Sequence, residues 1–539
     1  MDQTQAEWLP HLTSEVVADA RGWNLDAYAV ALEGWRRGLT LEWYAKHTDE
    51  FKNIKTWFVD EPGKLFSLRS EDRIHYFFRT RGDKVTNEAV EISADKDQTK
   101  QYLAKANIAT PTGHQFKDNI SDEEIMVAVE DIEYPVVLKP TDGSFGKGVI
   151  TNISNVEELK NALAIVRTEQ NIRNVMIEQH IPGEEYRVYV VGDQAVAAMN
   201  RIPANIIGDG NSSIRQLIGI KNEERKLNPR LISCLIQVDA EIKGFIESQG
   251  YTLDSVLNKD ELLFLTNKSN ISLGGDPVSV TDELPQEIKE TAVKALQAIP
   301  GLAHGAVDLI VDSRKDVSEA ATIIELNATA QLGGLLFPVA GKSSDVPAAI
   351  VDYYFPETKD VNVDKTKLYF DFVDVLSPLN SSSAKSTQVT PMPMGQIYSK
   401  KYTVTGDVQN MGYHMGLRKQ AFERYLSGLV MKQENGDIEV VVAGTDPEMV
   451  DDFKEGLLED PERSEVESIQ ESQWDNPMKV GFEIRADLKT QADDISKLIQ
   501  DIELTEHELK QAEYQQQKFY KSLSWRATAP IRWIGNIFK

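Results

Sequence analysis

A buried strand that runs directly into a glycine-rich loop most constrains the fold of this 539-residue chain. The stretch covers residues 135–149, PVVLKPTDGSFGKGV, in which an apolar run ends in Lys139 and three glycines follow within six residues. Glycine lets backbone N–H groups approach a ligand closely, and a nest of such groups attracts anions. The stretch therefore predicts either a lysine and loop that close over phosphates or a simple glycine turn between two strands.

The run VMIEQHIPGEEYRVYVVG favours the phosphate-binding interpretation. It places Glu178 on one predicted strand, a short turn after it, and Glu185 at the start of the next strand. Backbone groups in such a turn suit a purine, and a carboxylate beside it suits the hydroxyl groups of a ribose. The run therefore predicts a nucleotide site next to the glycine-rich loop.

Two further strands carry oxygen ligands. GAVDLIVD places Asp308 on one strand, and TIIELNATAQLGG places Glu325 and Asn327 on the next. Glu325 and Asn327 are two residues apart, so they lie on the same face of their strand. A lone acidic residue at a strand end is usually solvated, but three oxygen donors on neighbouring strands suit Mg²⁺ held between protein and phosphates.

Net charge limits the classes of partner that the chain can bind, and its cysteine content and lack of apolar segments indicate its compartment. Its 58 Lys and Arg residues against 85 Asp and Glu residues give a net charge of −27, which argues against a nucleic-acid binder and permits local basic clefts. A single cysteine, Cys234, excludes an internal disulfide and fits a reducing compartment. Because neither a signal-like start nor an apolar run of about 18 residues is found, we expect a cytoplasmic protein.

Composition and periodicity predict an α+β multidomain chain. Short β-branched strands separated by helical stretches indicate an α+β core, and a smaller α/β pattern follows a stretch rich in Pro, Ser and Thr. The predicted segments are an α/β cap over 1–92, a catalytic core over 93–356, a linker over 357–394, an α/β sandwich over 395–486, a coiled-coil-like helix over 487–520 and a basic aromatic tail over 521–539.

The order of these residues resembles the ATP-grasp superfamily over roughly residues 93–350. A closer resemblance, to the ATP-grasp module of cyanophycin synthetase, is carried by RIPANIIGDGNSSIRQLI, SQGYTLDSVL, NKSNISLGGDPVSVTDE and IIELNATAQLGG. The resemblance implies an ATP-grasp fold and an ATP- and Mg²⁺-dependent ligase that joins a carboxylate to an amine through an acyl phosphate. The implied substrate is an amino acid or an anionic envelope or storage polymer.

The resemblance also implies roles for individual residues. Lysines and the loop would hold ATP phosphates, Glu178 would lie on the adenine side and Glu185 at the ribose. The implied ATP-binding residues are Lys100, Lys139, Gly143, Ser144, Gly146, Gly148, Glu178, Ile181 and Glu185. The implied Mg²⁺ ligands are Asp308, Glu325 and Asn327, and the residues that would face the acyl phosphate and acceptor are Arg201, Arg215 and Asn270.

Two departures narrow the implied product. The second, Mur-ligase-like half of cyanophycin synthetase has a glycine-lysine-threonine phosphate loop that is not found in this sequence, so the two-amino-acid polymer is not implied. D-alanine:D-alanine ligases place an arginine two residues before the first metal aspartate to grip a substrate carboxylate, whereas this chain has Ala306 there. A D-alanyl dipeptide is therefore disfavoured.

Residues 395–486 resemble acylphosphatase, a small α/β sandwich with ferredoxin-like topology. The loop Gly406–Asp407–Val408–Gln409–Asn410–Met411–Gly412–Tyr413–His414 corresponds to that family's phosphate cradle. His414 stands where the family has its phosphate-binding arginine, and Lys432 stands where it has the asparagine that orients water. The departures favour a degenerate domain over a hydrolase. Hydrolysis and non-catalytic binding of ATP or acidic polymer nevertheless stay as alternative functions of the chain.

The tail combines basic and aromatic residues in an acidic chain. After Glu513 the chain has no acidic residue, while 518–539 interleaves five Lys and Arg residues with Phe, Trp and Ile. Its run SLSWRATAPIRWIG resembles the ends of some bacterial surface-polysaccharide glycosyltransferases. Such a tail suits an anionic membrane surface or an envelope-biosynthesis partner. Packing on the 487–520 helix, on a partner protein or in a homo-oligomer is the alternative.

Overall fold

The computed structural model describes residues 6–141, 148–459 and 464–485. They are a mixture of helices and strands, which confirms the predicted α+β class, and they divide into two units at residues 396 and 397. Among the described residues, every helix is too short or too polar to span a bilayer. The predicted loop residues Gly143, Ser144 and Gly146, the coiled-coil-like helix and the tail lie outside the described residues.

A helix and an antiparallel sheet form the N-terminal part of the first unit. Every described side chain of the helix Leu25–Arg36 is buried. Gly34 permits close packing on the sheet, because a Cβ there would come within 2.4 Å of the Leu68 side chain. The strands, in sheet order, are Ser386–Gln388, Thr40–Tyr44, Leu65–Arg69, Ile74–Phe78 and Arg81–Gly82.

The prediction of a linker over 357–394 is wrong. The segment contains the strand Leu368–Tyr369, the helix Phe372–Asn380 and the strand that borders the N-terminal sheet. Trp35 donates a hydrogen bond to the carbonyl of Thr390 at 2.7 Å. The serines at 381–383 of this segment are exposed, whereas eight of its apolar residues are buried, namely Leu368, Tyr369, Phe370, Phe372, Leu376, Leu379, Val389 and Met392. Average composition concealed that apolar set, and burial of apolar side chains fixes the segment on the N-terminal sheet.

A four-stranded antiparallel sheet follows. Its strands, in sheet order, are Gly113–Phe116, Val175–Gln179, Val136–Pro140 and Ile150–Ile153. The helices Asp122–Ala128 and Val156–Leu163 supply Ile125, Leu159 and Leu163 to a core shared with the strands. This sheet carries Lys139 and Glu178.

A five-stranded antiparallel sheet carries most of the predicted site. Its strands, in sheet order, are Asp276–Ser279, Gln194–Ile202, Glu184–Val191, His304–Val311 and Ala321–Asn327. The helices Asn87–Ala94, Lys96–Lys105 and Gln286–Gln297 contribute to the core beneath it. A smaller layer pairs Asn205–Ile207 with Leu262–Phe264 beside the helices Ile214–Leu227 and Ala240–Ser248. The helices Gly333–Leu336 and Val346–Tyr354 follow in sequence.

The described residues of the second unit include a five-stranded sheet and two helices. Its strands, in sheet order, are Glu465–Gln473, Tyr398–Asp407, Ile438–Gly444, Ser427–Lys432 and Phe482–Arg485. The helices Met411–Glu423 and Pro447–Gly456 contribute Leu417 and Phe453 to the core that includes Tyr402 and Val440. This strand and helix order is that of a small α/β sandwich.

Candidate active site

One large cavity of the first unit brings together seven of the twelve predicted site residues that the structure describes. Its volume is about 890 Å³, and both the four-stranded and the five-stranded sheets contribute to its wall. The predicted site residues that line it are Lys139, Glu185, Arg201, Asn270, Asp308, Glu325 and Asn327. Because these residues come from segments far apart in sequence, their convergence is a property of the fold.

The three oxygen donors lie on adjacent strands. Asp308 is the direct cross-strand partner of Glu325, and Asn327 lies two residues further along the same strand. Glu325 is exposed to the cavity, whereas Asp308 is buried. The side chain of Asn327 accepts a hydrogen bond from the backbone N–H of Thr329 at 3.0 Å.

Two arginines hold Asp308 in its ionised form. Arg187 donates from Nε at 2.7 Å and from Nη2 at 2.8 Å, and Arg201 Nη2 lies 3.0 Å from the same carboxylate. Burial by itself would raise the pKa of Asp308, but the two guanidinium groups outweigh burial and lower the pKa to about 2. Asp308 is therefore negatively charged at every physiological pH.

These residues fit a divalent cation. Two carboxylates and one amide oxygen are the hard donors that Mg²⁺ takes from proteins, usually together with water and phosphate oxygens. One of the carboxylates, Glu325, is open to the cavity, so its oxygens are accessible to a cation that enters with a nucleotide.

A buried carboxylate separates the two predicted phosphate-binding lysines. Glu178 is 3% exposed and forms ion pairs with both Lys100 and Lys139. Burial would raise its pKa, but the two lysines lower it below the usual range. The Glu178 side chain is thus committed to the lysines. The predicted position of Glu178 on the adenine side would therefore rest on its backbone and not on its carboxylate.

Five of the described predicted residues do not line the cavity. Two of them, Lys100 and Glu178, form the ion pair described above, and the other three lie elsewhere. Ile181 lies in the turn between two strands, and Gly148 has a φ of +73° at the end of the glycine-rich stretch. Arg215 lies in the first turn of the helix Ile214–Leu227, is 60% exposed and pairs with Asp254 at 3.7 Å. The prediction that Arg215 faces the acyl phosphate is therefore corrected, because Ile214 and Leu217 of that helix are buried and Arg215 falls on its exposed side.

Sequence reasoning missed several cations of the cavity. Among the described residues that line it, eight are Lys or Arg and three are Asp or Glu. This excess in a chain of net charge −27 suits polyanionic ligands. Arg187 could have been found, because it alternates with Glu185 on one strand and so shares its face. No periodicity marks the others, which are Lys64, Arg79, Lys96, Arg230 and Lys268.

The histidine of the second unit does not replace an arginine. His414 is 5% exposed, and its Nε2 donates to the carbonyl of Val408 at 2.9 Å. Burial lowers its pKa and outweighs the Val408 carbonyl, which favours the charged ring, while the nearby Lys432 lowers the pKa further. The ring is therefore neutral at neutral pH, and it offers no forked, permanent cation to a phosphate.

Two family models match parts of the chain, one in each unit. Residues 93–246 match the RimK-like ATP-grasp domain, and residues 400–484 match acylphosphatase. The chain therefore joins an ATP-grasp domain to an acylphosphatase-like domain. Both predicted resemblances are confirmed.

Curated relatives match about half of this chain and less than half of their own length. The chain is 32% identical over 273 residues to cyanophycin synthetase of Crocosphaera subtropica, spanning 50% of this chain and 31% of that protein. It is 32% identical over 323 residues to the glutathione biosynthesis bifunctional protein GshAB of Pasteurella multocida, spanning 57% and 41%. The chain thus spans less than half the length of these relatives.

Two solved structures resemble parts of the chain. A bifunctional glutathione synthetase from Pasteurella multocida is 29% identical, with a TM-score of 0.42, over 55% of this chain and 41% of that one. An acylphosphatase from Coxiella burnetii is 27% identical, with a TM-score of 0.16, over 16% of this chain and 93% of that one.

The acylphosphatase-like domain is expected not to hydrolyse benzoyl phosphate above background. Its cradle holds a neutral His414 in place of an arginine, and Lys432 in place of the water-orienting asparagine. Release of benzoate from the full-length protein measures this, and the double variant His414→Arg, Lys432→Asn should gain activity. Strong hydrolysis by the unchanged protein would contradict the assignment.

Proposed function

We propose that the chain is an ATP- and Mg²⁺-dependent ligase that joins a carboxylate to an amine through an acyl phosphate. The observation that carries the proposal is the convergence of Asp308, Glu325 and Asn327 in one cavity that also contains Lys139 and Arg201. Oxygen donors for a cation and cations for phosphates are the two requirements of phosphoryl transfer from ATP.

The proposed mechanism rests on positioning and charge. Lys139 and Arg201 offset the negative charge that builds up as the γ-phosphoryl group passes to the substrate carboxylate. Bound Mg²⁺, held by Asp308, Glu325 and Asn327, would neutralise and align the triphosphate. The acyl phosphate stays in the cavity until the amine attacks, and phosphate leaves as the amide forms.

The proposed substrates are an amino acid or an anionic envelope or storage polymer. The excess of cations in the cavity supports a negatively charged substrate beside ATP. The printed names of the relatives, a cyanophycin synthetase and a glutathione biosynthesis protein, support amino-acid chemistry. For the amine, the same comparisons favour an amino acid or peptide.

ADP release tests the proposal. The full-length protein with ATP and Mg²⁺ is screened against amino acids and acidic oligomers, singly and in pairs, and products are identified by mass spectrometry. We expect ADP release that depends on both a carboxylate and an amine, with a product lighter than their sum by one water. ATP turnover that no pair stimulates would favour the alternative of a non-catalytic scaffold.

A further inference from the structure

A buried arginine faces the cavity without a negatively charged partner. Arg230 is 6% exposed, and its guanidinium donates to Ser233 at 3.1 Å, to Ser272 at 3.3 Å and to Gln331 at 2.7 Å. All three acceptors are neutral, and within the described part of the chain no carboxylate forms an ion pair with it. A buried charge without a counter-ion is costly, so its retention indicates that an anion arrives from solution.

A neighbouring arginine shows the contrast. Arg225 is 3% exposed and pairs with Asp276 at 2.8 Å. Both arginines lie close to the 270–276 loop in the fold. Of these two arginines, Arg230 lines the cavity and Arg225 does not. Arg225 is therefore a structural arginine with its own counter-ion, whereas Arg230 has neutral partners only among the described residues.

The backbone around Arg230 fixes the direction of its side chain. Asn228 accepts a hydrogen bond from the Arg230 N–H at 2.9 Å and donates one to the carbonyl of Phe337 at 2.9 Å. Gly333 leaves room for the side chain, because a Cβ there would come within 2.3 Å of Arg230 Cδ. The guanidinium is therefore held in place before any ligand binds, which lowers the entropy cost of binding.

A second buried group in the same wall lacks a partner. Thr329 is 7% exposed and lines the cavity, two residues before Gln331. Its Oγ1 has no hydrogen-bond partner among the described residues. A buried hydroxyl without a hydrogen bond destabilises the protein, so we infer that a ligand supplies the partner of Thr329.

We propose that Arg230 and Thr329 form a subsite for a carboxylate of the substrate that is not activated, such as the free carboxylate of an amino acid or peptide. The guanidinium and hydroxyl groups match a carboxylate, which accepts several hydrogen bonds. The subsite supplies, from the segment that follows the helix Ile214–Leu227, the charge that D-alanine:D-alanine ligases supply from the position of Ala306. The inference rests on the proposed ligase function and names its substrate class.

Binding measurements test the subsite without requiring turnover. The full-length protein, saturated with Mg²⁺ and the non-hydrolysable analogue AMP-PNP, is titrated calorimetrically with L-aspartate, L-glutamate and L-glutamyl-L-glutamate, each beside its C-terminal amide. We expect at least one free acid to bind more tightly than its amide. Arg230→Gln should weaken that binding by about 10- to 100-fold, Arg230→Lys by less, and Thr329→Val by about 3- to 10-fold.

Thermal unfolding and nucleotide affinity separate the subsite from other roles. Arg230→Gln and Thr329→Val should leave the melting temperature of the unliganded protein unchanged or higher. The control Arg225→Gln should lower it, because it removes one of the two described cations, Arg225 and Lys221, that pair with the buried Asp276. The affinity for AMP-PNP should be unchanged in both subsite variants. A large loss of that affinity would assign Arg230 to the phosphates and overturn the proposal.

Two further outcomes would also overturn the subsite. One is a wild-type protein that binds no free acid better than its amide, and the other is a pair of variants with wild-type affinity. Either result can occur while the ADP-release screen finds a ligated product, so the ligase function would stand. Conversely, the expected binding losses with no ligation in the screen would contradict only the ligase function.

Discussion

Replacement of Glu325 by Gln or of Asn327 by Ala is expected to reduce ligation by about 100-fold or more and to leave the fold intact. Each change removes an oxygen donor from the proposed cation site, and the triphosphate loses its alignment. Glu325 is exposed to the cavity, so its neutralisation breaks no buried ion pair. Substrate-dependent ADP release measures the loss, and circular dichroism checks the fold.

A glutamate outside the cavity provides the matched control. Glu319 is exposed in the turn before the strand Ala321–Asn327, and Glu319→Gln should retain wild-type ADP release. Equal activity in wild type, Glu325→Gln and Asn327→Ala would refute the assignment of the metal ligands.

Replacement of Asp308 by Asn is expected to lower the free energy of unfolding by about 3–5 kcal/mol at pH 7, because it removes one partner of a buried ion pair and leaves Arg187 and Arg201 less compensated. Urea denaturation measures the change.

The same variant should show a defined pH dependence. Asp308 has a folded-state pKa of about 2, below the roughly 3.9 of an unfolded aspartate. Its ionised form therefore stabilises the protein fully above about pH 4, and this contribution is lost as the pH falls towards 2. The gap between wild type and Asp308→Asn should narrow over that range.

Asp254→Asn controls for the loss of an ion pair as such. Asp254 pairs with Arg215 at 3.7 Å on the surface, where its side chain is 84% exposed. Such pairs contribute little, so this variant should unfold close to wild type at every pH. An equal effect of the two substitutions would show that burial of Asp308 adds nothing to its ion pairs.

The strand residues of the site could be predicted because the alternation of side chains along a strand depends only on neighbouring positions in the sequence. Side chains alternate along a strand, so Glu325 and Asn327 were placed on one face from spacing alone, and the structure sets Asp308 opposite Glu325. Lys139 at the end of an apolar strand followed the same reasoning. Residues two apart on a strand share a face of the sheet, so spacing alone predicts which side chains can line the same cavity.

Contacts between distant segments could not be predicted in this way. Arg230 belongs to an irregular segment, and only the fold brings it beside Gln331. Lys64 and Arg79 come from the predicted cap, yet they line the same cavity. The 357–394 segment seemed a linker because its run SPLNSSSAKSTQVTPMPM is rich in Pro, Ser and Thr, while its buried apolar residues decide where the segment packs.

The strand Ser386–Gln388, which completes the N-terminal sheet, bears on the order of folding during synthesis. It pairs with the strand Thr40–Tyr44 in antiparallel fashion. The nearby hydrogen bond from Trp35 to the carbonyl of Thr390 joins residues 355 positions apart. At about 5–20 residues per second, a ribosome needs roughly 20–70 s to make that length of chain. The Thr40–Tyr44 strand therefore lacks this neighbour during that interval, and its open edge can pair with another nascent chain.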